Sequence, residues 1–456
     1  MLGCMLNVIW LIMMLVAVLV GGFGGRLDAM TEGAFATAKS AVMDIALPLV
    51  GLMAIWLGMM RLAERAGLVQ SLARGLRPVM RRLFPEVPQD HPAMGAMVLN
   101  MAANMLGLGN AATPLGLRAI ALLQKLNPHP STASNSMVTF LAVNTASIQI
   151  IPTTAISILA IQGAKNASII VVPAFLATAV AMTCGIFAAK ALSRLPAFRI
   201  RAEDEGVPAT VTDAKDTAVE MENIQPSPMS RPGRITLAAF LLAFAAILFA
   251  LVRPDIANAL PTALGWQWRY GDFWPGIGSG LRTLRAISLL AVPFLLGFFP
   301  LVAWLRGVNV YEQFCEGAKE AFDTARRIIP FLVAMLVAIR LLREAGVVQM
   351  VTEALRPALD AVGFPSDLLP LALMRPLSGS ASQGIFVDLV KTHGADSLIS
   401  RMAATIYGST ETTFYVLAVY FGSVGIRRTR HAVIVGLTAD IVATAGAVAA
   451  CWLLAR

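Results

Sequence analysis

Long apolar runs separated by short polar joints dominate the chain. They lie near 2–22, 41–60, 134–160, 169–192, 235–252, 286–305, 402–424 and 432–454, with a shorter one near 328–340. A helix crossing the hydrocarbon core of a bilayer needs about 20 such residues. Lipid offers no partner to an exposed N–H or C=O, so these runs are expected to be helices. Between 93 and 126 the apolar pattern is interrupted by Gly107-Leu-Gly-Asn110 and by Thr113-Pro114. This stretch reads as two half-helices that enter and leave on the same side. The pattern predicts an all-α polytopic integral membrane protein of roughly ten transmembrane and re-entrant elements.

The pattern is also written twice. Residues 65–78 and 344–357 match at Ala66/Ala345, Gly67/Gly346, Val69/Val348, Gln70/Gln349, Leu76/Leu355, Arg77/Arg356 and Pro78/Pro357, always 279 positions apart (346 − 67 = 357 − 78). Duplicated helical bundles are how many transporters obtain a central site with two alternately open faces. Between the copies, 193–234 breaks the apolar pattern with Glu203-Asp204-Glu205, further charges and Pro226-Ser-Pro. Such composition makes a flexible linker. Arg194, Arg199, Arg201, Arg231 and Arg234 at its ends place it in the cytoplasm by the positive-inside rule. The expected organisation is an N-terminal half at 1–192, a cytoplasmic linker at 193–234, a connecting helix and extracytoplasmic loop at 235–285, and a C-terminal half at 286–456.

Counting spans outward from the linker puts the first copy's arm, rich in Arg61, Arg65, Arg74, Arg77, Arg81 and Arg82, in the cytoplasm. The same count puts the charge-balanced second arm outside. The two copies are therefore expected to be inverted-topology repeats with paired helical hairpins. The parity holds only if 93–126 does not cross the membrane.

Polar residues interrupt both halves at membrane depth. In the first half the candidates to line a site are Asn104, Asn110 and Thr113, then Asn144, Thr145 and Ser147. In the second they are Arg375, Ser378, Ser380 and Gln383, then Ser409, Thr410, Glu411 and Thr412. Glycine and proline near them free backbone groups. Such groups are tolerated at this depth only around a protein-lined or watered cavity. Hydroxyls and amides both donate and accept, and can replace the hydration shell of a polar solute or small cation. The second half-helices start near 111–115 and 381–385, where N-terminal dipoles favour anionic groups; Arg375 would add to this. Glu411 is the acid inside the 402–424 run, and an ionisable residue so placed is a functional candidate. Binding a coupling Na⁺, carrying a proton and pairing with Arg375 all remain open for it. A bland role competes throughout, since Ser and Thr often simply join packed helices.

Composition narrows the class. The 456 residues are 57% hydrophobic and 14% charged, against about 25% charged in soluble domains. The net charge of +9 comes mostly from arginines beside apolar runs, so no nucleic-acid partner is expected. His91, His129, His393 and His431 are scattered, and no Walker, Gly-x-Ser-x-Gly or His-Glu-x-x-His motif appears. No catalytic residue, resident metal or cofactor is expected.

Two sets of strings carry a family resemblance. Asn104-Met-Leu-Gly-Leu-Gly-Asn-Ala-Ala-Thr-Pro-Leu-Gly116 and Asn144-Thr-Ala-Ser147 through Pro152-Thr-Thr154 resemble spore maturation protein A. Leu373-Met-Arg-Pro-Leu-Ser-Gly-Ser380 and Gly408-Ser-Thr-Glu-Thr-Thr-Phe-Tyr-Val-Leu-Ala-Val-Tyr420 resemble spore maturation protein B. The chain looks like a fusion of the two. Both resemble the nucleoside recognition, or gate, domain group, which is similar to parts of concentrative nucleoside transporters and of ferrous-iron transport protein B. That resemblance implies a transporter-like fold with paired re-entrant hairpins, and a link to spore core dehydration and dipicolinate movement.

The expectation is a secondary transporter or permease in a bacterial inner membrane. It would move a small polar metabolite, a nucleoside or a small carboxylate, with Na⁺ or H⁺ coupling and a homo-oligomeric state both compatible with the sequence. Glu411 is the residue expected to couple the ion and Arg375 the one to contact an anion. A non-transporting scaffold or sensor in the cell envelope is the alternative.

Overall fold

The computed structural model describes residues 2–106, 109–198, 229–258, 276–361 and 363–455. Most of the predicted linker, and the predicted loop over 259–275, lie outside the described residues. Among those described there is no strand, only an isolated bridge between Thr132 and Arg428.

The first half runs α1 (Leu2–Phe23), α2 (Leu27–Ser40), a π-helical turn (Ala41–Ala46), α3 (Leu47–Arg65) and α4 (Leu68–Leu83). It continues through α5 (Pro92–Met105), α6 (Gly109–Lys125), α7 (Asn135–Ala146), α8 (Thr153–Ile161) and α9 (Val171–Leu192). Next come α10 (Arg231–Val252) and α11 (Ser279–Leu305). The second half runs α12 (Val310–Glu344), α13 (Val347–Ala361), α14 (Leu369–Met374), α15 (Gly379–His393), α16 (Leu398–Ser409), α17 (Thr413–Ser423) and α18 (Ala432–Ala455). From α3 to α9 and from α12 to α18 the order is the same. A long helix ends at a left-handed glycine, Gly67 (φ 69) or Gly346 (φ 84), then an amphipathic arm follows. After that come a helical hairpin, a broken helix and a long apolar helix.

Among the described residues, five helices are long and apolar enough to cross a membrane: Leu27–Arg65, Ala167–Leu192, Arg231–Val252, Ser279–Leu305 and Ala432–Leu454. Trp10–Phe23 is a shorter apolar helix. Several expected spans need correction. The runs near 134–160 and 402–424 are not continuous helices. The first breaks between Ala146 and Thr153, the second between Ser409 and Thr413. The run near 328–340 is part of a 35-residue helix. In the 93–126 stretch the half-helices are separated after Leu106, while Pro114 sits inside α6 rather than at a break.

Serines set many helix starts. Ser134, Ser230, Ser378 and Ser397 each accept, through Oγ, the N–H three residues on, at 3.1–3.3 Å. This satisfies a donor that the first helical turn would otherwise leave orphaned.

The most extensive packing joins each long helix to its counterpart in the other half. The α2–α3 helix lies antiparallel to α12. Near one end, a Cβ on Gly58 would fall 2.6 Å from Phe314 and one on Gly317 would fall 2.6 Å from the Leu57 carbonyl; near the other, Arg26 donates to the Glu344 carbonyl at 3.1 Å. The α9 and α18 helices are also antiparallel. A Cβ on Gly185 would be 3.4 Å from Ala439 and one on Gly446 would be 3.5 Å from Ala177. Small residues let backbones come this close, which suits association in lipid, where apolar area alone gives no drive.

Loop contacts sort the two ends of the bundle. At one end Arg306 donates to the Ala66 carbonyl, Asn135 to Glu86 at 3.2 Å, and Arg430 to the carbonyls of Phe198 (2.8 Å) and Ala133 (3.0 Å). At the other, Lys165 N–H meets Asp396 at 3.1 Å and Arg285 meets the Leu454 carbonyl at 2.8 Å. The Gly67 arm belongs to the first end and the Gly346 arm to the second.

Candidate solute-binding site

The two broken helices cross at the middle of the bundle. Helix α7 stops at Ala146 because Ser147 takes φ +25°, a conformation costly for a residue with a Cβ. Its freed carbonyl accepts from Thr178 Oγ1 at 3.3 Å. Helix α16 stops at Ser409, where Thr410 turns extended. The backbone N–H of Glu411 then donates to the Thr145 carbonyl at 2.8 Å, joining one break to the other.

Each break is also tied to its own hairpin. In the first half Ile150 N–H donates to the Met105 carbonyl at 2.9 Å, beside the tip between α5 and α6. In the second Phe414 N–H donates to the Pro376 carbonyl at 3.0 Å, in the turn between α14 and α15. Four interruptions of helix therefore meet along one polar seam.

Side chains line it unevenly. Asn104 Nδ2 donates to Asn144 Oδ1 at 3.1 Å, and the Tyr420 hydroxyl donates to the same oxygen at 3.3 Å. Gln149 Nε2 donates to Glu411 Oε1 at 3.3 Å. Arg375 is buried; it donates to the Thr410 carbonyl and lies 4.7 Å over the Tyr407 ring. The Arg375–Glu411 ion pair open from sequence is not formed: Glu411 takes Gln149 instead, and no oxygen of its carboxylate comes within 4 Å of Arg375.

The sequence-expected residues divide by what they do. Asn104, Asn144, Thr145, Ser147, Arg375, Thr410 and Glu411 come together at the crossing. Gln383 is buried on α15, and Thr412 packs beside Gly379, where a Cβ would come 3.0 Å from its Oγ1. Ser378 is spent on capping α15, with Ser380 3.3 Å away. Ser409 bonds the Ile406 carbonyl of its own helix at 3.1 Å. Thr113 is half-buried on α6, and the side chain of Asn110 lies outside the described residues.

Buried polar atoms in this region lack a protein partner: Thr145 Oγ1, Ser147 Oγ, Arg375 Nε, Gln383 Nε2 and Asp440 Oδ1. An unsatisfied buried group costs about 1–3 kcal/mol, so a group of them suits a place where a polar ligand or water completes the bonding.

Asp440 was not anticipated. It sits on α18, is 4% exposed, and accepts from Thr413 Oγ1 at 2.6 Å through its other oxygen. The signal was present, since Asp440 is an acid within the 432–454 apolar run and the argument applied to Glu411 applies equally there. Tyr420 was also missed; its hydroxyl fills the space that a Cβ on Gly116 would need.

The long apolar helices and the broken ones between them define a multi-pass helical membrane protein. The family model described as "Gate: Nucleoside recognition" matches twice, at residues 46–162 and 325–427. The chain belongs to the family of spore maturation proteins A and B. It is 43% identical over 162 residues to spore maturation protein B of Bacillus subtilis (strain 168), covering 91% of that protein and 36% of this chain. It is 44% identical over 174 residues to spore maturation protein A of the same organism, covering 88% of that protein and 38% of this chain. The two relatives match different parts of the chain, as a fusion would.

Proposed function

We propose that the chain is a secondary transporter of a small polar solute, a nucleoside or a small carboxylate, with its substrate held at the seam between the two halves. The observation that carries this is the Glu411–Thr145 joint, where two broken helices meet beside unpartnered buried polar atoms. Irregular backbone at membrane depth belongs around a cavity, and transporter sites are built from discontinuous helices where repeats meet.

In this reading the two halves are inverted repeats. The antiparallel packing of α2–α3 on α12 and of α9 on α18 supports it. So does the separation of the Gly67 and Gly346 arms to opposite ends. The end holding Arg427, Arg428 and Arg430 faces the cytoplasm of a bacterial cell, with the linker on the same side and the bilayer its inner membrane. Glu411 and Asp440 are the acids available to carry Na⁺ or H⁺, and Arg375 is the cation nearest the seam. No catalytic step is assigned to any residue.

The test is uptake of radiolabelled uridine and of dipicolinate into proteoliposomes holding the full-length chain, under imposed Na⁺ or pH gradients. Accumulation of one of them, reduced in Glu411→Gln and in Arg375→Ala, is the expected result. Unchanged uptake in both variants removes their roles. Saturable binding without flux favours a second reading, a membrane scaffold or sensor in envelope physiology. The exposed arginines of α4, Arg74, Arg77, Arg81 and Arg82, would then serve as its docking face.

A further inference from the structure

Well away from the seam, at the end of the bundle that carries Glu344 and the Gly346 arm, α2, α12 and α15 wall a cavity of about 360 Å³. Small-molecule pockets span about 300–1,000 Å³. Three cations line it, Arg340, Arg343 and Lys391, and Thr37 and Ser40 of α2 line it beside them.

Two of these cations are compensated. Arg340 pairs with Glu344 at 2.5 Å, and Arg343 pairs with Asp388 while donating to Thr392 Oγ1 at 2.6 Å. Lys391 makes no close ion pair; Asp388, one turn back on α15, attracts it only at longer range and is already paired with Arg343. Lys391 Nζ donates to Ser40 Oγ at 2.8 Å, and no carboxylate among the described residues lies within 4 Å. Three cations thus stand against two carboxylates. An ammonium carries three donors, so Lys391 keeps two for another acceptor. Cations in a last helical turn commonly offset the helix dipole, which accounts for the charge of Arg343 and Lys391 in α12 and α15. It does not account for Lys391 reaching across to a different helix at the mouth of a cavity. Ser40 is the last residue of α2, where the chain winds into the π-helical turn Ala41–Ala46, and Ile45 of that turn also lines the cavity. Such turns concentrate at functional sites.

We propose that this cavity binds an oxyanion, a carboxylate or a phosphate, with Lys391 as its principal ligand and Arg340, Arg343, Thr37 and Ser40 around it. The proposal does not rest on transport through the seam and survives if that reading fails. A free anion and the phosphate of a lipid headgroup present the same chemistry, and the experiment separates them.

Full-length protein in a non-ionic detergent is titrated calorimetrically with inorganic phosphate and, separately, with succinate. Binding to nanodiscs of phosphatidylcholine with and without phosphatidylglycerol forms the second arm. Saturable binding of an anion or of phosphatidylglycerol is expected. It should weaken about tenfold in Lys391→Ala, the loss of one charge-assisted hydrogen bond, and be retained in Lys391→Arg. Ser40→Ala should weaken it less. Competition by phosphatidylglycerol assigns the site to a headgroup; phosphate or succinate binding that this lipid leaves unchanged assigns it to a free anion. Lys391 is exposed, so its substitution leaves folding intact. Affinity equal to that of the unaltered protein in Lys391→Ala, or no saturable binding in either arm, overturns the proposal.

Discussion

The backbone N–H of Glu411 donates to the backbone carbonyl of Thr145 at 2.8 Å. The two residues stand in different halves of the chain, each in or beside the break of its own helix. The contact is main chain to main chain, so substitution of either side chain leaves it in place. A shift of either half by one residue would remove it.

The crossing is tight beside that contact. A Cβ on Gly408 would lie 2.6 Å from Cβ of Pro152, and neither a proline ring nor a helix backbone yields easily. Gly408→Ala is expected to cost about 1–3 kcal/mol, the usual range for overpacking. Thermal unfolding of the purified protein measures it; an unchanged midpoint would show that the halves separate here at no cost.

Asn144 Oδ1 accepts from both Asn104 and Tyr420. Tyr420→Phe removes one donor and leaves the acceptor satisfied, at a cost of about 1 kcal/mol, whereas Asn144→Ala strands two donors and costs about 2–4 kcal/mol. A double-mutant cycle of the two should be clearly non-additive. Strict additivity would place the three groups in independent environments.

The proposed inverted arrangement is open to labelling. In a background without native cysteines, Gln70→Cys should react with an impermeant maleimide from the cytoplasmic side and Gln349→Cys from the opposite side. Labelling of both from one side contradicts the antiparallel reading of the repeats.

His431 precedes the α18 span and is fully buried, its ring against the Ala189 carbonyl. Burial first, and then the Arg430 guanidinium, hold its pKa down at about 4 from an ordinary 6.5, while the Ala189 contact works the other way. The folded state therefore refuses a proton that the unfolded chain accepts. Stability from this group is fully present above pH 6.5, falls as the pH drops, and levels off below about 4. His431→Gln should flatten that part of the stability–pH curve; a curve of unchanged slope removes the assignment.

Much of the architecture was legible in the sequence because repetition and hydropathy both report on helices. The matched arms pointed to a duplication, and Gly67 and Gly346 both take positive φ just after a long helix. The breaks within 134–160 and 402–424 were not legible from hydropathy. A window averages over six residues such as Ser147–Pro152, and the backbone angle of Ser147 has no composition of its own. The local signals were Pro152 and the run Ser409-Thr410-Glu411-Thr412; they mark freed backbone groups at membrane depth but do not fix the residues at which the helices end. In α12 the opposite error arose. Its charged first half hid a helix that spans about 52 Å at 1.5 Å per residue, longer than the apolar segment alone. Asp440 escaped because it stands singly, outside the clustered motifs that drew the other candidates.

The pairing of α3 with α12 and of α9 with α18 has a consequence for how the protein is made. Each half packs a long helix against one of the other, and a broken helix of one meets a broken helix of the other at the Glu411–Thr145 contact. Synthesised alone, either would expose unpaired main-chain groups to acyl chains. A single polypeptide delivers the two in equal stoichiometry and at high effective concentration. Residues 1–198 and 229–456 produced as separate chains should therefore co-purify, with neither fragment accumulating on its own.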